Sequence, residues 1–329
     1  GVERFEELMQ QPRTRAREAR KTVREEVADL QTDAVTDFVG YEKDEADAKV
    51  VEVVPGGVIL EETPCYAEMG GQLADTGSLV IGGAPIVVED VRKFGDAFVH
   101  FVGDDLSVEP GESVHAAIDR TRRDAIERNH SATHIVHEAL RRILGDHVQQ
   151  AGSLVADDHL RFDFSHFSKV EPEQVRDVEA MVNEKIREAI SVESEEMAYD
   201  DARTLDGVKM FFGDKYGDRV RVLQAGPSLE FCGGTHVNAL GDIGLVKIIS
   251  EGSIGSNMRR VSQSLAEQGA VSSASIFRIG ADYTDKTNQL KAGSFLVKPG
   301  SSMEDIVEQV TRGGASTCGT EVVYRVGVN

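Results

Sequence analysis

The chain has 329 residues, 40% of them hydrophobic and 28% charged, with a net charge of −21 at pH 7. This is an ordinary mix for two or three domains with real cores, and no run of about eighteen apolar residues offers a membrane span. Three cysteines at unrelated spacings, Cys65, Cys232 and Cys318, exclude a disulfide framework and point to a reducing cytoplasm. The acidic balance is the wrong sign for indiscriminate attraction to phosphate. The positive charge is uneven, however. Arg13, Arg15, Arg17, Arg20, Lys21 and Arg24 cluster, as do Arg120, Arg122, Arg123 and Arg128, and arginine, the better fork for phosphate, outnumbers lysine 24 to 12. For the first cluster the plainer reading is a solvated helix face.

Residues 1–30 have helical spacing with Phe5, Leu8 and Met9 on one side, interrupted near Pro12, and are too charged for a secretory signal. Opening on Gly1 rather than Met, the chain reads as part of a longer one. From about Val50 to Ile118 the period changes to two: "KVVEVVPGGVILEE" and "SLVIGGAPIVVEDV" each read as strand, glycine turn, strand, and "DAFVHFVG" and "ESVHAAI" add two more strands. Short strands with glycine turns predict a small β-barrel. Between the hairpins, "TPCYAEMGGQLADTG" reads as a long polar loop of the kind that carries function more than packing.

At Thr121 the pattern turns helical through Leu144, and Gly145 stops it. "GSLVADDHLRFDFS" reads as a hairpin turning near Asp157 and Asp158, and Pro172 opens a helix running to about Ile190. Strand-like "RVRVLQ" and "IGLVKIIS" follow, with residues 263–329 polar and weakly patterned apart from one possible helix in "SSMEDIVEQVTR". Mixed hairpins and helices predict an α+β class. The expected divisions are a helical entry segment (1–32), a β-barrel (33–118), an α+β domain (119–262) and a poorly defined tail (263–329) opening a helical region.

Two motifs carry chemistry. In "RNHSATHIVHEAL", His130 and His134 are four apart on a helix, so both imidazoles lie on one face. In "EFCGGTHV", Cys232 and His236 flank a bend that Gly233 and Gly234 make possible. Together they make a set of three imidazoles and a thiolate, which favours zinc over magnesium or calcium. The alternative is a buried thiol and hydrogen-bonded histidines with no metal. His137 shares the helix face but is better placed for support or packing than for ligation, and His100, His115, His147, His159 and His166 have no partner spacing. H-E-x-x-H is absent, so the usual helical metalloprotease arrangement is too.

"RNHSATHIVHEALRRILGDHVQQAGSLV", "RFDFSH" and "EFCGGTHV" resemble the editing domain of bacterial-type alanyl-tRNA synthetases. "TPCYAEMGGQLADTG" resembles that family's barrel, and "FEELMQQPRTRAREARK" is similar to the helix entering it. The resemblance runs over about residues 3–262. It implies that His130, His134, Cys232 and His236 hold one zinc ion, that Thr133 and Gln150 line the editing pocket, and that the reaction is hydrolysis of mischarged Ser-tRNA(Ala) and Gly-tRNA(Ala). The tRNA contacts expected with it are Arg120, Arg122, Arg123 and Arg128. The chain departs from the family after Arg259 and Arg260, where "VSQSLAEQGA" stands in place of a strand, and no motifs for ATP and alanine activation are present. Rival readings are a free-standing editing factor, a catalytically inactive zinc-stapled tRNA-binding module, and the threonyl-tRNA synthetase editing domain, which "AEMGGQ" disfavours.

Overall fold

The computed structural model describes residues 30–103, 107–166, 170–210, 216–253, 262, 271, 273–283, 302, 304, 306–308 and 319–327. The expected entry helix with Phe5, Leu8 and Met9, the basic cluster of residues 13–24, and residues 259 and 260 lie outside these. The class is mixed α+β, and the chain divides into two compact units, Gly1–Asp124 and Ala125–Asn329.

Among the described residues the first unit has nine strands: β1 (Asp37–Phe38), β2 (Glu45–Val54), β3 (Gly57–Leu60), β4 (Glu62–Thr63), β5 (Gly77–Ile81), β6 (Ala84–Val88), β7 (Asp90–Phe94), β8 (Ala97–Phe101) and β9 (Ser113–Ile118). Seven of them form one antiparallel sheet in the order β6-β5-β9-β2-β3-β8-β7. Its edge strands β6 and β7 are successive in the chain, separated by Glu89 alone, so the sheet curls until its edges come together there. Strand β2 alternates buried and exposed residues, which puts Ala46, Ala48 and Val50 inside the curl. The glycine hairpins form where the sequence places them, with Gly56, Gly82 and Gly83 at φ of 70°, 57° and 87°, a region that L side chains resist.

The segment between β4 and β5 departs from expectation. Cys65, Ala67 and Ala74 belong to the core, and Tyr66, Gln72 and Asp75 are buried as well. The loop turns inward because Tyr66 N–H donates to Asp75 Oδ2 (2.7 Å) while Asp75 N–H donates to Tyr66 O (3.0 Å), closing it on itself. Burial pushes the Cys65 thiol up to about 12, so it serves as a small apolar filler.

His100 is wholly buried on β8, with Nε2 2.7 Å from Thr63 Oγ1 and Nδ1 3.3 Å from Val58 O. Burial lowers its pKa from 6.5 to about 4. Between those values the unfolded chain binds the proton and the folded one does not, so stability present above pH 6.5 is lost as pH falls toward 4, on the order of 3 kcal/mol in all. Urea midpoints from pH 7 to 4.5 are expected to fall in the wild type and to flatten over that window in His100→Gln. An equal slope in both would refute the assignment.

The second unit begins inside helix α1 (Arg120–Leu144), which Asp119 caps through a hydrogen bond from Arg122 N–H (3.2 Å) and Gly145 ends at φ 116°. At 100° per residue, Ala132, Ile135, Val136, Ala139 and Leu140 form a core-facing stripe, and His130, His134 and His137 fall within about 60° of arc on the opposite side. Strands β10 (Gln150–Val155) and β11 (Leu160–Ser165) form the expected hairpin, and helix α2 (Pro172–Arg187) ends three residues before Ile190. It buries Val178, Val182 and Ile186, about 1.5–3 kcal/mol each. Strands β12 (Val192–Ala198), β13 (Arg219–Ala225) and β14 (Ser228–Phe231) make a second antiparallel sheet, with a short helix, α3 (Tyr199–Ala202), after β12.

Strand β15 (Leu245–Ser253) is followed by helix α3's longer successor, α4 (Ala274–Tyr283), and residues 304 and 306–308 are helical. The last element was not foreseen. Residues expected to form an ill-defined tail make β16 (Gly319–Gly327), which lies between β11 and β15 and pairs antiparallel with both. Its backbone supplies the ladder partners that β11 and β15 would otherwise lack on their facing edges.

Candidate metal centre

Helix α1 supplies His130 and His134, one turn apart and both buried, with ring centroids 5.3 Å apart. The other two groups follow β14, where Cys232 N–H donates to Arg221 O (3.0 Å). Arg221 Nη1 in turn donates to Cys232 O (3.1 Å) and Gly234 O (2.9 Å), so one guanidinium on β13 pins the bend. Ser131 holds its far end: its Oγ accepts Val237 N–H (3.1 Å) and lies 3.2 Å from His236 Nδ1, which leaves Nε2 of that ring toward Cys232.

The result is a cluster in which one donor atom each from His130, His134, Cys232 and His236 lies within 4.8 Å of every other. Cys232 Sγ is 3.5 Å from His130 Nε2 and 3.2 Å from His236 Nε2. Neighbouring corners of a tetrahedral zinc site are about 3.3–3.8 Å apart, given bonds of about 2.0–2.3 Å. The donors fit such an ion with small inward adjustments. A further observation points the same way: His134 Nε2 is buried with no hydrogen-bond partner, while its Nδ1 lies 2.6 Å from Glu230 Oε2. A ring nitrogen left bare in that setting is costly unless a cation meets it.

The electrostatics agree. Burial opposes charge on Cys232, but the imidazoles of His130, His236 and His134 outweigh it and hold the thiol well below its ordinary value. Burial likewise opposes ionisation of Glu230, and His134 and His137 hold that carboxyl well below the usual range. His236 is pushed down to about 3 by burial, against the pull of Cys232. On His134 burial is outweighed by the Glu230 carboxylate and Cys232, which hold it up at about 10. Two anionic groups thus call for a cation among them, either a proton on His134 or a divalent ion at its Nε2.

Thr133 is buried beside His134, and its hydroxyl donates back to Asn129 O (2.8 Å). Gln150 opens β10, and its amide donates to Ser153 Oγ (3.1 Å). His137 does not join the four; its Nδ1 lies 3.1 Å from Glu230 Oε1. His147 and His166, which spacing did not pair, stand with Nε2 and Nδ1 2.9 Å apart. The arginine cluster is corrected in one member. Arg123 is wholly buried, with its guanidinium on Asp75, Gly40 O (2.8 Å) and Pro64 O (2.8 Å), and cannot meet a phosphate in this fold. Arg120 is exposed and paired with Asp44 and Asp124, Arg122 donates to Ala74 O, and Arg128 is half-buried.

Sequence reasoning missed Glu230, Lys209, Arg221 and Ser131. Glu230 had a signal: it stands two residues before Cys232 at the end of a strand, on the same side by the period of two. Among the described residues no helix is long and apolar enough to cross a membrane.

Comparison with known proteins adds two family matches. Residues 1–122 match the family described as tRNA synthetases class II (A), and residues 220–262 match the threonyl and alanyl tRNA synthetase second additional domain. The alanine–tRNA ligase of Chlorobaculum tepidum is 44% identical over 312 residues, covering 87% of this chain and 35% of the relative. That of Akkermansia muciniphila is 46% identical over 274 residues, covering 79% and 29%. That of Colwellia psychrerythraea is 39% identical over 341 residues, covering 97% and 39%. The chain spans about a third of the length of these relatives. With both matched regions and this level of identity, it belongs to the alanyl-tRNA synthetase family and carries that family's editing-type additional domain.

Proposed function

We propose that this chain is the zinc-dependent editing part of an alanine–tRNA ligase and hydrolyses mischarged Ser-tRNA(Ala) and Gly-tRNA(Ala) in the cytoplasm. The observation that carries this reading is the convergence of three imidazoles and a thiolate in the part of the chain that includes the additional-domain match. On this reading residues 33–118 are the barrel of the parent synthetase and residues 119–262 its editing domain. Bound zinc would supply a Lewis acid for the ester carbonyl or a fixed anchor for the aminoacyl end. Four protein ligands fill a tetrahedral shell, which favours the anchor.

Selection against alanine falls to the pocket residues. Discrimination by binding alone yields about 1–3 kcal/mol for one small group, too little for faithful charging. Thr133 already donates its hydroxyl proton to Asn129 O, so its Oγ1 is an acceptor toward any substrate. A seryl hydroxyl can donate to it, and an alanyl methyl cannot. Gln150 contributes the second polar contact, with its amide steadied by Ser153. Arg120, Arg122 and Arg128 are the proposed phosphate contacts, each taken singly; Arg120 sits in exposed ion pairs that are worth little and exchange easily.

Deacylation of Ser-tRNA(Ala) and Ala-tRNA(Ala) tests the reading. The chain is expected to release serine and spare alanine, and Thr133→Val to slow serine release about 10–100-fold, the worth of one buried hydrogen bond. Unchanged rates in Thr133→Val would remove the assigned pocket. Binding of tRNA without any hydrolysis would favour a zinc-stapled binding module, the reading that a filled ligand shell also permits.

A further inference from the structure

Behind His134 lies a layer of polar groups outside the four-residue cluster. Glu230 is 2% exposed and is held from four sides. Its Oε2 faces His134 Nδ1 (2.6 Å), and its Oε1 meets Ser228 Oγ (2.6 Å), Lys209 Nζ (3.0 Å) and His137 Nδ1 (3.1 Å). Lys209 is itself largely buried, and its other ammonium contacts go to Ser228 Oγ (3.1 Å) and Glu138 Oε2 (2.8 Å). Glu138 is anchored in turn by Arg142, which is exposed (2.7 Å). The position of Lys209 is fixed by its backbone: Lys209 N–H donates to Leu229 O (2.9 Å), and Phe231 N–H donates to Lys209 O (3.0 Å), a parallel bridge beside Glu230.

We propose that Glu230, anchored by Lys209, is the positioning pair that sets the metal affinity of this centre. The carboxylate holds a proton of His134 on Nδ1 and so leaves Nε2 as the ring atom offered to an ion. Glu230 is neither ligand nor base here, because its oxygens are committed to the four groups just named. Lys209 is what allows a carboxylate to sit there at all. Two carboxylates, Glu230 beside His134 and Glu138 behind it, approach one another here, and the Lys209 ammonium bridges them. Without it Glu230 is left buried beside Glu138 with no cation between them, and its hold on His134 loosens.

This inference rests on the reading of the cluster as a metal site, and the experiment separates the two. The zinc dissociation constant is measured by chelator competition on the whole chain, together with the visible bands of the cobalt(II)-loaded protein and far-UV circular dichroism. Glu230→Gln is expected to weaken zinc about 10–100-fold and to alter the cobalt bands, with the fold retained. Lys209→Met is expected to weaken it in the same sense and Lys209→Arg to restore most of the loss. Should Glu230→Gln fail to fold, Lys209→Met decides, since methionine matches the lysine stem in length and fills the same largely buried space without the ammonium. Wild-type affinity and cobalt bands in these variants would overturn the inference alone. A wild-type chain that binds neither ion would overturn the metal centre and this inference with it.

Discussion

Cys232→Ala is expected to lower the thermal midpoint of the second unit by roughly 8–16 °C in zinc and to abolish zinc binding. A ligand that binds only the folded state stabilises it by about 4 kcal/mol at a thousandfold excess over its dissociation constant, and a unit of this size shifts by about 2–4 °C per kcal/mol. The two pairs of donors, His130 with His134 and Cys232 with His236, are about a hundred residues apart in the chain, so no such site survives unfolding, and the binding energy becomes folding energy. Removing Cys232 also leaves Glu230 as the remaining anionic group beside three crowded imidazoles. A chelator is expected to bring the wild type down to the midpoint of the variant and to leave the variant unmoved. If the chelator strips bound zinc and the midpoint stays, the ion contributes nothing to the fold. If no zinc is ever bound, the cluster is a hydrogen-bonded thiol and histidines.

The sequence made part of this arrangement readable and hid the rest for physical reasons. His130 and His134 could be paired because a helix has a fixed period, and Cys232 with His236 because the two glycines between them mark a bend. Lys209 could not be found, since its link to Glu230 is a single parallel bridge between residues 21 apart in the chain, with no local pattern. The curled sheet was legible at its glycine hairpins, while β7 was missed because "DVRKF" lacks clean alternation. The segment 64–75 reads as a polar loop that carries function rather than packing, because it is polar and has paired glycines. Its burial depends on Arg123, some fifty residues later, which no local rule connects to it. Strand β16 depends likewise on partners in β11 and β15, far back in the chain.

Asp75→Asn is expected to destabilise the first unit by about 3–5 kcal/mol, the cost of breaking one side of a buried ion pair. Both side chains are 1% exposed, and Arg123 Nε lies 3.0 Å from each carboxylate oxygen of Asp75, with Nη2 adding a further short contact. Neutralising Asp75 therefore leaves a guanidinium without its counter-charge in a dry site, and weakens the acceptor for Tyr66 N–H as well. Arg123→Met is expected to cost a similar amount by the opposite route. It strands the carboxylate and takes the donors from Gly40 O and Pro64 O, at about 1–3 kcal/mol for each buried carbonyl left bare. Many buried ion pairs can be exchanged for apolar residues at little net cost, but here the two carbonyls depend on the arginine and have no substitute. The double variant is thus expected to lie well above the wild type in cost yet below the sum of the singles, with a coupling of about 1–3 kcal/mol in urea-unfolding midpoints. Strict additivity would mean that Asp75 and Arg123 act separately, and a double variant as stable as the wild type would mean that the carbonyls find other donors. Either result would dissolve the link that draws the polar segment 64–75 into the core and that holds Arg123 buried there.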